Sequence, residues 1–159
     1  MKIRSVIAFV VLAISFALPI YAQEQSAVDP KTRQEIEAVL MQFGEVYNRH
    51  DAAAIAALYT QDAVRVVDWE AGTNFFGREA IEKGFAADFG AMLYGTWSAS
   101  SPPNPVRKLV QMCACEDRIV TISKWSGGSS HGHSVEIYVR DADTWKIRMD
   151  FVTVTLMPQ

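Results

Sequence analysis

The chain has 159 residues, half of them apolar, with 15 basic against 18 acidic side chains and a net charge of −3. That length and composition allow one domain with a single core of ordinary size. They exclude a basic nucleic-acid surface, because no stretch gathers Lys and Arg with interleaved aromatics.

The first 22 residues read as a leader. Lys2 and Arg4 precede an uncharged, mainly apolar run from Val6 to Leu18, and Pro19 ends it before Ala22. The run is shorter than the roughly 20 residues that span a bilayer, so it predicts a cleaved export signal and no stable membrane insertion afterwards. The mature chain then holds 13 basic and 18 acidic residues, a net charge of −5. Export places it in the periplasm or outside the cell. Residues 23–30 read as a flexible mature N-terminus, and residues 31–156 as the folded domain.

Asp29 followed by Pro30 starts a helix, a capping carboxylate with proline in the first turn. Ile36, Val39, Leu40, Phe43, Val46 and Tyr47 form its apolar stripe. Asp51 caps a second helix over Ala52 to Tyr59, and the lone His50 belongs to the turn between them. Ala63 to Trp69 reads as a strand, Ala71 to Asn74 as a turn, and Phe75-Phe76 as a short return strand. Gly77 breaks the chain before a third helix with Ile81, Phe85, Phe89 and Met92 on its inner face. Gly95 to Pro105 is a connecting loop. The last third predicts strands only: Val106 to Cys115, Arg118 to Ser126, Ser134 to Arg140 and Trp145 to Leu156, with Gly127 to Gly132 as a loop. The order predicts an α+β fold, a cone-shaped curved antiparallel sheet with the helices on one face.

The two cysteines, Cys113 and Cys115, share one face of a strand at about 6.5–7 Å, near or beyond disulfide reach. They are expected as two buried thiols. His131-Gly132-His133 lies in a Gly- and Ser-rich stretch without accompanying ligands, so no metal is expected. No phosphate loop or serine-nucleophile motif is present, and no cofactor is implied.

The stretch Asn48 to Val64 (NRHDAAAIAALYTQDAV), FGREAI entering the third helix, and the closing DTWKIRMDFVTV strand resemble the nuclear-transport-factor-2-like superfamily. The likeness is to its SnoaL-like and ketosteroid-isomerase-like bacterial members and covers roughly residues 31–156. It implies a curved sheet wrapped around a helix, with a central apolar pocket open at one end. It also implies pairing of two subunits through the outer sheet face. Members include isomerases, dehydratases, hydrolases, cyclases and domains that only bind or dimerise, so the fold alone does not decide the activity.

In the isomerase-like members a carboxylate base, a tyrosine and a protonated acid share the pocket, and acid and base need opposite environments. Carried onto this chain, the base falls at Val67 or Asp68, where a strand bulge before Trp69 would turn Asp68 inward. The tyrosine position is occupied by Phe43, which leaves Tyr47, one turn later, as the hydroxyl. The later acid falls on Glu136. Asp68, Glu136 and Tyr47 are therefore the candidate catalytic residues. The bland alternatives are a solvated Asp68, a Tyr47 in the core, and a surface Glu136 paired with Lys124 or Arg148.

Phe43, Val66, Trp69, Phe85, Tyr138, Trp145, Ile147, Met149 and Phe151 are the candidate pocket wall, suited to a small apolar molecule. On the last strand, simple alternation puts Trp145, Ile147, Met149, Phe151 and Thr153 inside. On the strand before it, an inward Glu136 leaves Val135, Ile137 and Val139 facing out, which suits a homodimer interface. Three functions remain open: an exported small-molecule-binding domain, an acid–base isomerase or dehydratase, and a dimerising interaction module.

Overall fold

The computed structural model describes residues 27–68, 73–93, 106–127 and 130–156. The leader, Trp69 and the Gly95–Pro105 loop lie outside the described residues, as does the Met92 side chain.

The helical third forms where caps and stripes predict it. Helix α1 (Pro30–Asn48) begins with Asp29 accepting from the Thr32 amide at 3.0 Å. Asp51 likewise accepts from the Ala54 amide at 2.9 Å and starts α2 (Ala52–Ala56). Helix α2 is one turn shorter than its alanine content predicts, because Tyr59 already belongs to a strand. The chain turns at Gly77, whose φ of +85° suits a residue without a Cβ, and α3 (Arg78–Leu93) follows. Ile36, Phe43 and Val46 of α1, Ile55 of α2, and Ile81, Phe85 and Phe89 of α3 are buried together. Burying each such side chain contributes roughly 1.5–3 kcal/mol.

The strands are β1 (Tyr59–Asp68), β2 (Thr73–Phe76), β3 (Val106–Cys115), β4 (Arg118–Gly127), β5 (Ser130–Asp141), β6 (Thr144–Thr153) and β7 (Thr155–Leu156). Six of them form a curved, unclosed sheet in the order β2-β1-β6-β5-β4-β3, and β7 adds to β5. The sheet is not wholly antiparallel, because β1 runs parallel to β6. The fold is α+β with its helices on the concave side.

One irregularity sets the direction of half of β6. Ile137 of β5 pairs with Met149, yet its neighbour Tyr138 pairs with Ile147, so Arg148 is an extra residue. On the other side β1 bows outward between Tyr59 and Val64. Arg148 is tied to that bow, donating to the Asp62 carbonyl and lying 3.0 Å from its carboxylate. Arg78 fixes the start of the bow through the Tyr59 carbonyl, at 2.9 Å from Nε. Such a bulge reverses the alternation beyond it. Ile147 faces inward before it and Asp150 and Val152 after it, while Met149 and Phe151 turn out. The expected inward placement of Met149, Phe151 and Thr153 is therefore corrected.

Residues expected as a mobile loop are strand instead. β4 runs to Gly127 and β5 begins at Ser130, so His131 and His133 are exposed strand residues. Gly132 between them is buried because the backbone and an indole close over it. A Cβ there would lie 1.9 Å from the Thr153 carbonyl oxygen and 2.9 Å from the Trp125 ring. Gly132→Ala is expected to cost about 3 kcal/mol through forced backbone displacement, read as a lower urea midpoint with an unchanged slope.

Candidate functional site

The concave face of the sheet carries charge where an apolar wall was expected. Across β1, β6, β5 and β4, the register aligns Arg65, Asp150, Glu136 and Thr121 as successive neighbours. Asp150 and Glu136 are fully buried, and Arg65 and Arg107 keep only 11% and 17% of their side-chain surface exposed.

Each carboxylate has its own guanidinium. The Tyr59 hydroxyl donates to Asp150 Oδ2 at 2.9 Å, and Arg65 Nη1 donates to the same oxygen. Arg107 Nη1, from β3, donates to Glu136 Oε1 at 2.6 Å. The Thr121 hydroxyl donates to Glu136 Oε2, also at 2.6 Å, and Arg107 Nη2 reaches Ser134 Oγ at 3.4 Å. Such pairs persist in a buried setting because every charge is countered and hydrogen-bonded.

Helix side chains roof this floor. The Arg65 guanidinium lies 4.4 Å from the Phe85 ring centre, and that of Arg107 lies 4.5 Å from Phe43. Tyr47 and Phe89 complete the aromatic layer, with ring centres 5.2 Å apart.

Burial dominates the titration behaviour. Glu136 is pushed above its ordinary value by burial, with Asp150 adding to the shift and Arg107 and Thr121 opposing it. Burial also lifts the Tyr59 and Tyr138 phenols well above their ordinary range, so both remain neutral hydroxyls. For Arg65 burial acts downward, but the Asp150 carboxylate and Tyr59 more than offset it and the charge is retained. Tyr47 is raised by burial, then by Asp88.

Four buried polar atoms have no hydrogen-bond partner among the described residues: Asp150 Oδ1, the Tyr138 hydroxyl, Ser123 Oγ and Trp125 Nε1. All four belong to inward positions of β4, β5 and β6. Leaving such an atom unpaired costs about 1–3 kcal/mol, so four on one face mark a surface suited to hydrogen-bonding groups from outside the chain.

The candidate residues divide accordingly. Glu136 is inward as expected, but its partner is Arg107, not Lys124 or Arg148. Asp68 is exposed at the end of β1, where its register neighbour is Thr153. The bulge expected to turn it inward lies in β6 instead and serves Asp150. Phe43, Phe85, Tyr138 and Ile147 are buried on the inner side, and Tyr47 is half-buried in the aromatic layer. Trp145 is buried at the far end, where its indole donates to Glu35 at 2.9 Å beneath Arg140. The clefts of about 450 and 470 Å³ among the described residues flank this Trp145 end rather than the charged floor.

Val66, Met149 and Phe151 form part of the outer face, not the pocket wall. Cys113 and Cys115 are also on that side, half-buried and exposed, rather than buried. Arg65, Arg107, Asp150, Tyr59 and Thr121 were missed. The legible signal was Arg65 alone in Ala63-Val64-Arg65-Val66-Val67, since a single charge in a β-branched run needs a partner.

No sequence-family model and no curated protein matches this chain. Solved structures do. A domain of unknown function with a cystatin-like fold from Nostoc punctiforme aligns with a TM-score of 0.66 at 14% identity, over 82% of this chain and 81% of that one. An NTF2-like protein with a cystatin-like fold from Novosphingobium aromaticivorans gives 0.62 at 15%, over 78% and 82%. A ketosteroid isomerase-like protein from Erwinia carotovora atroseptica gives 0.61 at 13%, over 79% and 98%. The chain has the NTF2-like fold. At these identities the likeness concerns the fold, so the chemistry must be argued from the NTF2-like cone's own inner face.

Removing one member of a buried pair leaves the other uncompensated. Arg107→Met is expected to cost about 3 kcal/mol by leaving Glu136 buried without its cation, and adding Glu136→Gln should recover part of that loss, measured by urea unfolding. A carboxyl raised by burial keeps its proton longer in the folded chain. Glu136 therefore contributes stability below its ordinary 4.5 that is lost as pH rises through its elevated folded value. In Glu136→Gln this part of the pH profile should be flat.

Proposed function

We propose that this is an exported small-molecule-binding domain that holds its ligand against the charged floor of the cone. The observation that carries the reading is the set of four polar atoms on the inner face that have no partner among the described residues, on the same side as the Arg65–Asp150 and Arg107–Glu136 pairs. The fold supports it, because it wraps a sheet around helices and leaves the inner face as the natural place for a ligand. The basic start and apolar run of the first 22 residues support export to the periplasm or beyond. An entirely apolar ligand, as the sequence suggests, fits this polar floor poorly.

A ring-compound fragment screen by thermal shift tests the reading. True ligands should saturate, compete with one another and change Trp125 fluorescence, a signal absent from Trp125→Phe. At a hundredfold excess over Kd the added stability is about 2.7 kcal/mol. Absence of any saturating, competing fragment would contradict the reading.

Acid–base catalysis is the second reading, favoured by one observation: Asp150 has one oxygen fixed by two donors and the other bare. On that reading the base is Asp150 and not Asp68, with Glu136, raised by burial, as the acid. Asp68→Asn should then leave any activity unchanged.

We also propose that the outer face pairs two copies of the chain. The register strings Phe76, Val64, Met149, Ile137, Val120 and Cys113 into one row across six strands. Val66, Phe151, Val135 and Ile122 form a second row, and Asp68, Thr153, His133, Lys124 and Lys108 supply a polar margin. An apolar centre with a polar rim is how protein interfaces are built. Sedimentation should show a dimer that Ile137→Lys converts to a folded monomer; a monomeric parent chain would contradict it.

A further inference from the structure

The ligand's chemical class follows from which valences of the floor are used and which are free. This step rests on the binding reading above. Arg65 is paired with Asp150 and Arg107 with Glu136, so the four charges cancel in place. A carboxylate or phosphate would find both floor guanidiniums already paired and would meet two buried carboxylates. A cationic ligand would meet two guanidiniums and, among the described residues, floor carboxylates that are already paired, with Asp88 acting on Arg65 from the exposed side of α3. The floor therefore selects against both signs.

Its open positions are specific. Asp150 Oδ2 is occupied by Tyr59 and Arg65, while Oδ1 has no partner among the described residues and can only accept. Tyr138 is the diagonal neighbour of Asp150 on the same face, because Glu136 pairs with Asp150 and Tyr138 is two residues further along β5. Its hydroxyl is also unpartnered and fully buried. Flat surfaces adjoin the floor: Phe85 and Phe43 lie against the two guanidiniums, and Tyr47 and Phe89 pack with them.

We propose that the inner face binds a neutral, planar ring compound that donates an N–H or O–H to Asp150 Oδ1. The exposed margins of Arg65 and Arg107 mark the side from which it reaches the floor. Tyr138 supplies the second hydrogen bond, and the aromatic layer holds the ring. Charge excludes ionised analogues, and the lone acceptor excludes rings of the same shape without a donor. A donor-reading site discriminates strongly, because the wrong ligand leaves a buried carboxylate oxygen unpaired.

Three probes of similar shape separate these terms: indole, its oxygen isostere benzofuran, and indole-3-carboxylate. Calorimetric titration of the protein should show saturable indole binding, with benzofuran at least tenfold weaker and indole-3-carboxylate no tighter than benzofuran. Asp150→Asn sharpens the test. Tyr59 and Arg65 hold the amide oxygen at the Oδ2 position and so place its NH2 where the acceptor was. The preference for indole over benzofuran should then fall below twofold. Tyr138→Phe, which removes only a hydroxyl, should weaken indole about fivefold.

Equal binding of indole and benzofuran by the unsubstituted protein overturns the proposal and leaves the binding reading intact. Tighter indole-3-carboxylate does the same and makes the ligand an anion. If none of the three binds, the proposal falls; if the fragment screen is also empty, the floor is only a hydrated polar core and both readings fall. Should Asp150→Asn fail to fold, the indole-to-benzofuran ratio of the parent chain decides alone.

Discussion

The inner face depends on one extra residue in β6. Arg148 has no place in the β5–β6 ladder and is held outside it by Asp62, in the stretch where β1 bows away. Because side chains alternate with a period of two, a single inserted residue exchanges the two faces of everything beyond it. Without it, Met149 and Phe151 would point inward and Asp150 outward. With it, Asp150 meets Arg65 and Tyr59 and stands directly opposite Glu136. The apolar side chains join the outer rows instead. One irregularity thus supplies both a charged interior and an apolar exterior.

Two carboxylates placed opposite each other in a sheet repel. The fold offsets this with a guanidinium at each flank, Arg65 from β1 and Arg107 from β3, and with hydroxyls from Tyr59 and Thr121. Buried ion pairs add little net stability over apolar packing, since desolvation cancels most of the attraction. Their presence across several strands is a large demand on a chain whose ordinary core could be apolar throughout. The proposed ligand, using the remaining acceptor and hydroxyl, would give that arrangement a purpose a purely structural core lacks.

Much of this architecture is legible in the sequence. Asp29-Pro30 and Asp51 announce their helices because capping acts through neighbouring residues alone, and the α1 stripe identifies Ile36, Phe43 and Val46 as core. Glu136 among Val135, Ile137 and Tyr138 correctly reads as an inward acid. The direction of Asp150 is not legible, because Trp145-Lys146-Ile147-Arg148-Met149-Asp150 reads smoothly as an alternating strand and nothing local marks the bulge. Its cause is an interaction with Asp62, 86 residues away. The parallel pairing of β1 with β6 is hidden for the same reason. Gly132 misleads in the opposite sense: it reads as loop flexibility but serves close packing of Trp125 and the Thr153 backbone. The apolar outer face, by contrast, is legible in Val135 and Ile137, and the bulge adds Met149 and Phe151 to that surface.

The reversal of alternation in β6 is open to direct test by a crystal structure of this chain at side-chain resolution. Asp150 should be bound to Tyr59 and Arg65 on the concave face, with Arg148 bulged toward Asp62 and Met149 and Phe151 on the convex face. A regular β6 with Met149 and Phe151 inside and Asp150 in solvent would contradict it, and the charged floor and the ligand chemistry drawn from it would fall together.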